Sequence, residues 1–206
     1  MNGFDFLGVT PDQYKEIETK EPGEGQQVLD SGVYDAKVKE VAKYKNDKGG
    51  VQGKITVELP QYLGHEITKY VTFVKNDGTE IDWGKSELKQ LLDSIGADPS
   101  ELNVVEGETK AYGQNRKAAI LKGIEGRPLK VAVRKVHQPG SNYEWFNEIE
   151  FFMRPDGTNA KGENVAERFL KKIEKTPVLE RKPRNTTGST TATVTTSSGT
   201  NVADLI

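Results

Sequence analysis

"SGVYDAKVKEVAKYKNDKGGVQGKITVEL", residues 31–59, carries two apolar alternations on either side of a turn cluster. In the first, Tyr34, Ala36 and Val38 alternate with Asp35, Lys37 and Lys39; in the second, Val51, Gly53, Ile55, Val57 and Leu59 alternate with Gln52, Lys54, Thr56 and Glu58. A period of two puts successive side chains on opposite faces of a strand. Between the runs, residues 46–50 are Asn-Asp-Lys-Gly-Gly, the side-chain chemistry of a hairpin turn. The stretch therefore predicts a β-hairpin, and its neighbours extend it. A third strand over residues 66–75 groups Ile67, Val71 and Phe73 and stops at Asn76-Asp77-Gly78.

The period then changes to 3.6. Leu88, Leu91, Leu92 and Ile95 form one apolar stripe, which Gly96 and Pro99 end, so a short helix follows the third strand. Residues 107–128 are rich in glycine and bases and follow neither period. Residues 129–136 and 143–154 read as the remaining strands, with Pro139 and Gly140 at the turn between them. Val165, Phe169 and Ile173 predict a second helix over residues 164–176. The expected architecture is mainly β: an OB-fold, a five-stranded Greek-key barrel with a helix between strands three and four and flanking helical appendages. A five-stranded sheet packed on two helices, with a purely structural role, is the competing arrangement.

The domain over residues 31–176 has an arm before it, residues 1–30, and a tail after it, residues 177–206. The tail is Thr- and Ser-rich and too poor in apolar area to offset the entropy of ordering, so it is expected to be disordered. The chain has 206 residues and no cysteine, which excludes disulfides, thiolate chemistry and cysteine-ligated metals. Its mean hydropathy is −0.67. No secretion signal and no long apolar run appear, so neither export nor membrane insertion is expected.

Catalytic patterns are missing. His65 and His137 stand far apart and outside any metal-ligand spacing; there is no phosphate-binding GxxxxGK[ST] loop, dinucleotide fingerprint or GxSxG elbow. Asp77, Asp82, Asp93 and Asp98 are spaced like turns and helix ends. Neither enzymatic activity nor a cofactor is expected.

Binding chemistry is richer. The net charge of −2 averages over segregated segments: residues 1–30 hold seven acids and two lysines, whereas residues 107–137 hold eight bases and two acids. A local positive field of this kind attracts an anionic polymer. Cations that replace counterions and flat rings that stack on bases are what a single-stranded nucleic-acid groove needs. Tyr34, Lys37, Lys39, Lys43 and Tyr44 interleave on the first strand; Tyr112 precedes Arg116 and Lys117; Lys130, Arg134, Lys135 and His137 precede Tyr143 and Phe146. These are the candidate contacts. Tyr34 aligns with Ala36 and Val38, which also suits a core ring. Trp145 aligns with Ile149, Phe151 and Met153 and is expected to face the core, whereas Phe146 lies on the face of Glu148 and Glu150.

The segments "GVYDAKVKEVAKYKNDKGG" (32–50), "LKQLLDSIG" (88–96) and "AAILKGIEGRPLKVAVRKVHQPGSNYEWFNEIEFFMRPDGTNAKG" (118–162) give the chain a resemblance to the single-stranded-DNA-binding proteins of tailed bacteriophages, over roughly residues 30–175. The resemblance implies an OB barrel that binds single-stranded DNA without sequence preference and protects replication or recombination intermediates in the cytoplasm of an infected bacterium. It also implies a tail tip, here Asp204, Leu205 and Ile206, that contacts phage or host replication proteins. The tail departs from the family's acidic character, since residues 181–206 hold three bases, Arg181, Lys182 and Arg184, and one acid, Asp204. A phage structural or adaptor protein that binds protein partners is the alternative.

Overall fold

The computed structural model describes residues 28–141 and 143–183. The hairpin read from residues 31–59 is present. Strand β1 (Gly32–Lys45) pairs antiparallel with β2 (Val51–Leu59). In the turn between them, Asn46 Oδ1 accepts from the backbone N–H groups of Lys48 and Gly50 at 3.0 and 2.9 Å. β2 pairs along its length with β3 (His65–Val74), and helix α1 (Asp82–Ser94) follows. Next come β4 (Asn103–Ala111), β5 (Gln114–Lys122), β6 (Pro128–His137), β7 (Trp145–Met153), helix α2 (Val165–Lys175) and the short strand β8 (Val178–Glu180).

Among the described residues the fold is mainly β, with eight strands in one sheet and two α-helices. All pairings are antiparallel except that of β8 with β6. β1 organises the sheet because it is 14 residues long and divides its second edge between two partners. Its residues 32–37 pair with β6, and its residues 42–44 pair with β5. A bulge at Lys39 lies between these halves and exchanges the faces, so Ala36 and Val38 point into the main core before it and Val41 after it.

That core joins Val38, Ile55, Val57, Leu59, Leu129, Val131 and Val133 to Leu91 of α1 and Phe152 of β7. A second cluster seats Val165, Phe169 and Ile173 of α2 on Ala132 and Met153, on the other face of β6 and β7. α2 begins where Asn164 Oδ1 accepts from Glu167 N–H at 2.9 Å, an N-cap.

The structure corrects the expected count of five strands. Two additions, β4 and β5, come from the stretch that followed neither period, because their alternation is carried by Gly107, Thr109, Ala111 and Ala118 rather than by large apolar residues. The third, β8, falls in residues assigned to the tail. The domain also begins before residue 31: Leu29 is buried, and its backbone N–H and C=O are both held by the Asn147 side-chain amide at 2.8 Å. Residues 1–27 and the tail from 184 onward, with Asp204, Leu205 and Ile206, lie outside the described residues.

β3 and β7 approach each other without a ladder between them. Side chains span the seam. Lys69 Nζ donates to the Glu150 carbonyl at 3.1 Å and lies 2.5 Å from Glu87 of α1. Gln90 of α1 accepts from Phe152 N–H at 3.1 Å.

Candidate nucleic-acid interface

The seam between β3 and β7 opens outward into a groove of about 800 Å³. Five rings line it: Tyr70 from β3, Trp83 from α1, Tyr112 from the β4–β5 turn, Tyr143 from the β6–β7 loop and Phe146 from β7. Trp83, Tyr112 and Tyr143 are 54%, 61% and 66% exposed. Burying such rings is strongly favourable, so three of them left open around one groove form a surface suited to a flat ligand.

Four of the five rings are fixed locally. Trp83 stands over the seam because the next residue, Gly84, is buried against β3; a Cβ there would lie 2.2 Å from the Thr72 carbonyl oxygen. The Lys69 ammonium lies 5.9 Å from the Trp83 ring centroid. Tyr112 and Gly113 both have positive φ, 49° and 79°, as a two-residue hairpin turn with strand twist demands. That turn lays Tyr112 on Tyr70 with ring centroids 4.2 Å apart and 18° between planes, leaving its outer face open. Phe146 carries the Arg181 guanidinium at 5.8 Å.

Charges in the groove are paired. Lys69 meets Glu87, Lys172 meets Glu150, and Arg181 at the rim meets Glu148 at 2.6 Å. Arg134 is a correction to the expected contacts: it is 3% exposed, its Nη1 donates to the Thr176 carbonyl at 2.8 Å, and its guanidinium lies beneath α2 against Phe169. It fastens α2 to the sheet, and its Nε, 3.6 Å from Glu150, is buried without a hydrogen bond.

A second surface adjoins the groove. Lys43, Lys45, Arg116 and Lys117 line a shelf of about 610 Å³ between β1 and β5. Tyr44, expected as a contact, is 2% exposed and packs under the shelf with Ala42, Ala111 and Ala118, its hydroxyl 3.2 Å from Gln52 Oε1. Burial pushes the Tyr44 phenol up to about 12, the neighbouring Tyr112 and Tyr70 add to this, and Arg116 opposes it. Tyr70 packs against the same cluster and so joins it to the Tyr70–Tyr112 stack.

The other candidates lie apart. Tyr34 packs against the main core, edge-on to Tyr62 at 5.6 Å, with its hydroxyl donating to the Asp30 carbonyl; burial pushes its pKa up to about 12. Lys39 pairs with Glu66, Lys130 pairs with Asp35 at 2.5 Å, and Lys37 is exposed opposite Glu58. Lys135 and His137 alternate with Arg134 and so occupy the other face of β6. There His137 stacks on Trp145 at 4.3 Å and holds Glu180 at 2.8 Å, while Lys135 pairs with Asp30 at 3.0 Å. Trp145, expected in the core, is 43% exposed.

Trp83 and Tyr70, with the ion-paired Lys69 and Lys172, line the groove and were not among the contacts expected from the sequence. Trp83 falls off the stripe of Leu88, Leu91, Leu92 and Ile95, and Tyr70 alternates with Val71 on the polar face of β3. An aromatic residue on a polar face was the available signal for both. Among the described residues no group of three or more His, Cys, Asp or Glu side chains is placed to hold a metal ion. No family model matches the chain, and no curated protein matches it.

Proposed function

We propose that this chain binds single-stranded DNA without sequence preference, stacking bases along the β3–β7 groove. The observation that carries the reading is the convergence of Tyr70, Trp83, Tyr112, Tyr143 and Phe146 on one open groove, from four separate parts of the chain. Stacking on an aromatic ring tolerates any base, because every base has a π-face, and each stacked base contributes about 1–3 kcal/mol. The adjoining lysines supply the phosphate contacts that stacking alone does not.

The topology supports an OB reading. β1, β2, β3, β6 and β7 are taken as the five barrel strands, with α1 between the third and fourth. The β4–β5 hairpin is then an insertion after α1, and α2 with β8 an appendage. In this reading the β3–β7 seam is where the barrel closes, through Lys69 and the Glu150 carbonyl rather than a full ladder. We extend the resemblance to tailed-phage single-stranded-DNA-binding proteins on the same grounds: a role protecting replication or recombination intermediates in the infected cell, with replication proteins as further partners.

A second reading, an adaptor that holds a protein segment, is favoured by one feature. The groove lining sets three bases, Lys69, Arg134 and Lys172, against three acids, Glu87, Glu148 and Glu150, so it lacks the excess positive charge of a pure phosphate channel. Fluorescence anisotropy with labelled oligothymidine separates the two. The DNA reading predicts saturable binding at low salt, weak sequence preference, and a loss of about five-fold or more for Trp83→Ala or Tyr143→Ala at nearly unchanged salt dependence. Absence of binding at low salt would overturn it in favour of the adaptor.

A further inference from the structure

The shelf holds an arrangement that stacking does not use. Arg116 Nη1 and Nη2 donate to Asp47 Oδ1 and Oδ2 at 2.7 and 2.9 Å, a two-pronged pair, and Nη2 also donates to Gln114 Oε1 at 2.7 Å. The two partners differ in exposure: the Arg116 side chain is 13% exposed and that of Asp47 is 76% exposed. The guanidinium lies 5.9 Å from the Tyr44 ring centroid, so its position is set from below by a buried aromatic residue. Lys43, Lys45 and Lys117 line the same opening, with Glu106 the single acid in the lining, but they alternate with Tyr44 and Arg116 and so lie on the other face of β1 and β5. None of these three lysines is in an ion pair among the described residues.

A carboxylate and a phosphodiester present the same two-oxygen face to a guanidinium. We infer that the shelf is a backbone-phosphate subsite in which Asp47 holds Arg116 in its binding geometry and is displaced by an incoming phosphate. Arg116 is largely covered and needs an anion; Asp47, once released, is solvated where it stands. The β1–β2 turn does not depend on the Asp47 carboxylate, since Asn46 supplies its hydrogen bonds. The pair is ionised near neutral pH, because each partner drives the other further into its charged form. Tyr44, beneath Arg116, belongs to the cluster on which Tyr70 packs, and Tyr70 carries Tyr112.

The inference rests on the single-stranded-DNA reading, and the test separates the two. Wild type, Asp47→Asn, Arg116→Gln and Trp83→Ala are titrated, after their melting temperatures are compared, with oligothymidine and with an abasic deoxyribose-phosphate oligomer that has phosphates but no bases. The subsite predicts that Asp47→Asn tightens both ligands by about two- to fivefold, the ratio equivalent to one exposed ion pair. It also predicts a salt slope steeper by about 0.7, one extra phosphate contact on a single strand. Arg116→Gln should change both quantities in the opposite direction. If Asp47→Asn leaves both ligands unchanged while Trp83→Ala still weakens oligothymidine, the subsite is overturned and the stacking reading stands. If Asp47→Asn tightens both ligands but oligothymidine binds no better than the abasic oligomer, the subsite stands and the stacking reading falls. Binding of neither ligand to any variant overturns both.

Discussion

Arg134 and Tyr143 stand nine positions apart and have opposite roles. Both were expected as contacts, since each is a chemically suitable residue near a turn. Alternation along β6 places Arg134 on the outer face, but it says nothing of what covers that face, and α2 arrives from 30 residues later in the chain. Replacing Arg134 with Ala is therefore expected to cost about 1.5–3 kcal/mol of stability, the range for a hydrogen bond with a charged donor. In urea unfolding the midpoint should fall while the folded protein retains wild-type DNA affinity. Tyr143→Ala should do the reverse, leaving the unfolding midpoint nearly unchanged and weakening binding. Tyr44 teaches the same lesson. Its interleaving with Lys43 and Lys45 suggested an exposed platform, yet the bulge at Lys39 turns it onto a face that Ala111 and Ala118 cover.

At the scale of elements, hairpins and helices with large apolar residues were legible in the sequence, and irregularities were not. β1, β2, β3 and α1 follow from period and turn chemistry. β7 was read as a continuous alternation of Trp145, Ile149, Phe151 and Met153. Its ladder with β6 skips Glu150, so Ile149 and Phe152 enter the main core while Met153 and Phe151 pack toward α2. A bulge of one residue exchanges faces, and no side-chain pattern announced it. α1 carries a sharper test. Alanine is the better helix former than glycine by about 1 kcal/mol, yet Gly84→Ala places a Cβ on the Thr72 carbonyl oxygen. Overpacking of this kind costs about 1–3 kcal/mol. The substitution is expected to lower the melting temperature and, by pushing the first turn of α1 off β3, to weaken DNA binding through Trp83. An unchanged melting temperature would show that α1 is not seated as closely as described.

For the whole molecule, the segregation of charge in the sequence overstated the field. Of the eight bases in residues 107–137, Arg116, Lys122, Lys130, Arg134 and Lys135 are engaged with carboxylates. Of the bases left, Lys117 joins Lys43 and Lys45 on the shelf, three lysines in no ion pair among the described residues; on the proposed reading the slope of log affinity against log salt is expected near −2, at about 0.7 per phosphate on a single strand. In that reading stacking in the groove supplies the rest, and Trp83 would report on it. With two tryptophans in the chain, Trp145→Phe leaves Trp83 as the sole emitter, and Trp145 lies on the opposite face, stacked on His137. Titrating that variant with oligothymidine, while following Trp83 emission and oligonucleotide anisotropy together, tests the groove most directly. Saturable quenching of Trp83 with the same midpoint as the anisotropy is the predicted result; full anisotropy binding with Trp83 emission unchanged would contradict it, because the DNA would then lie elsewhere on the protein.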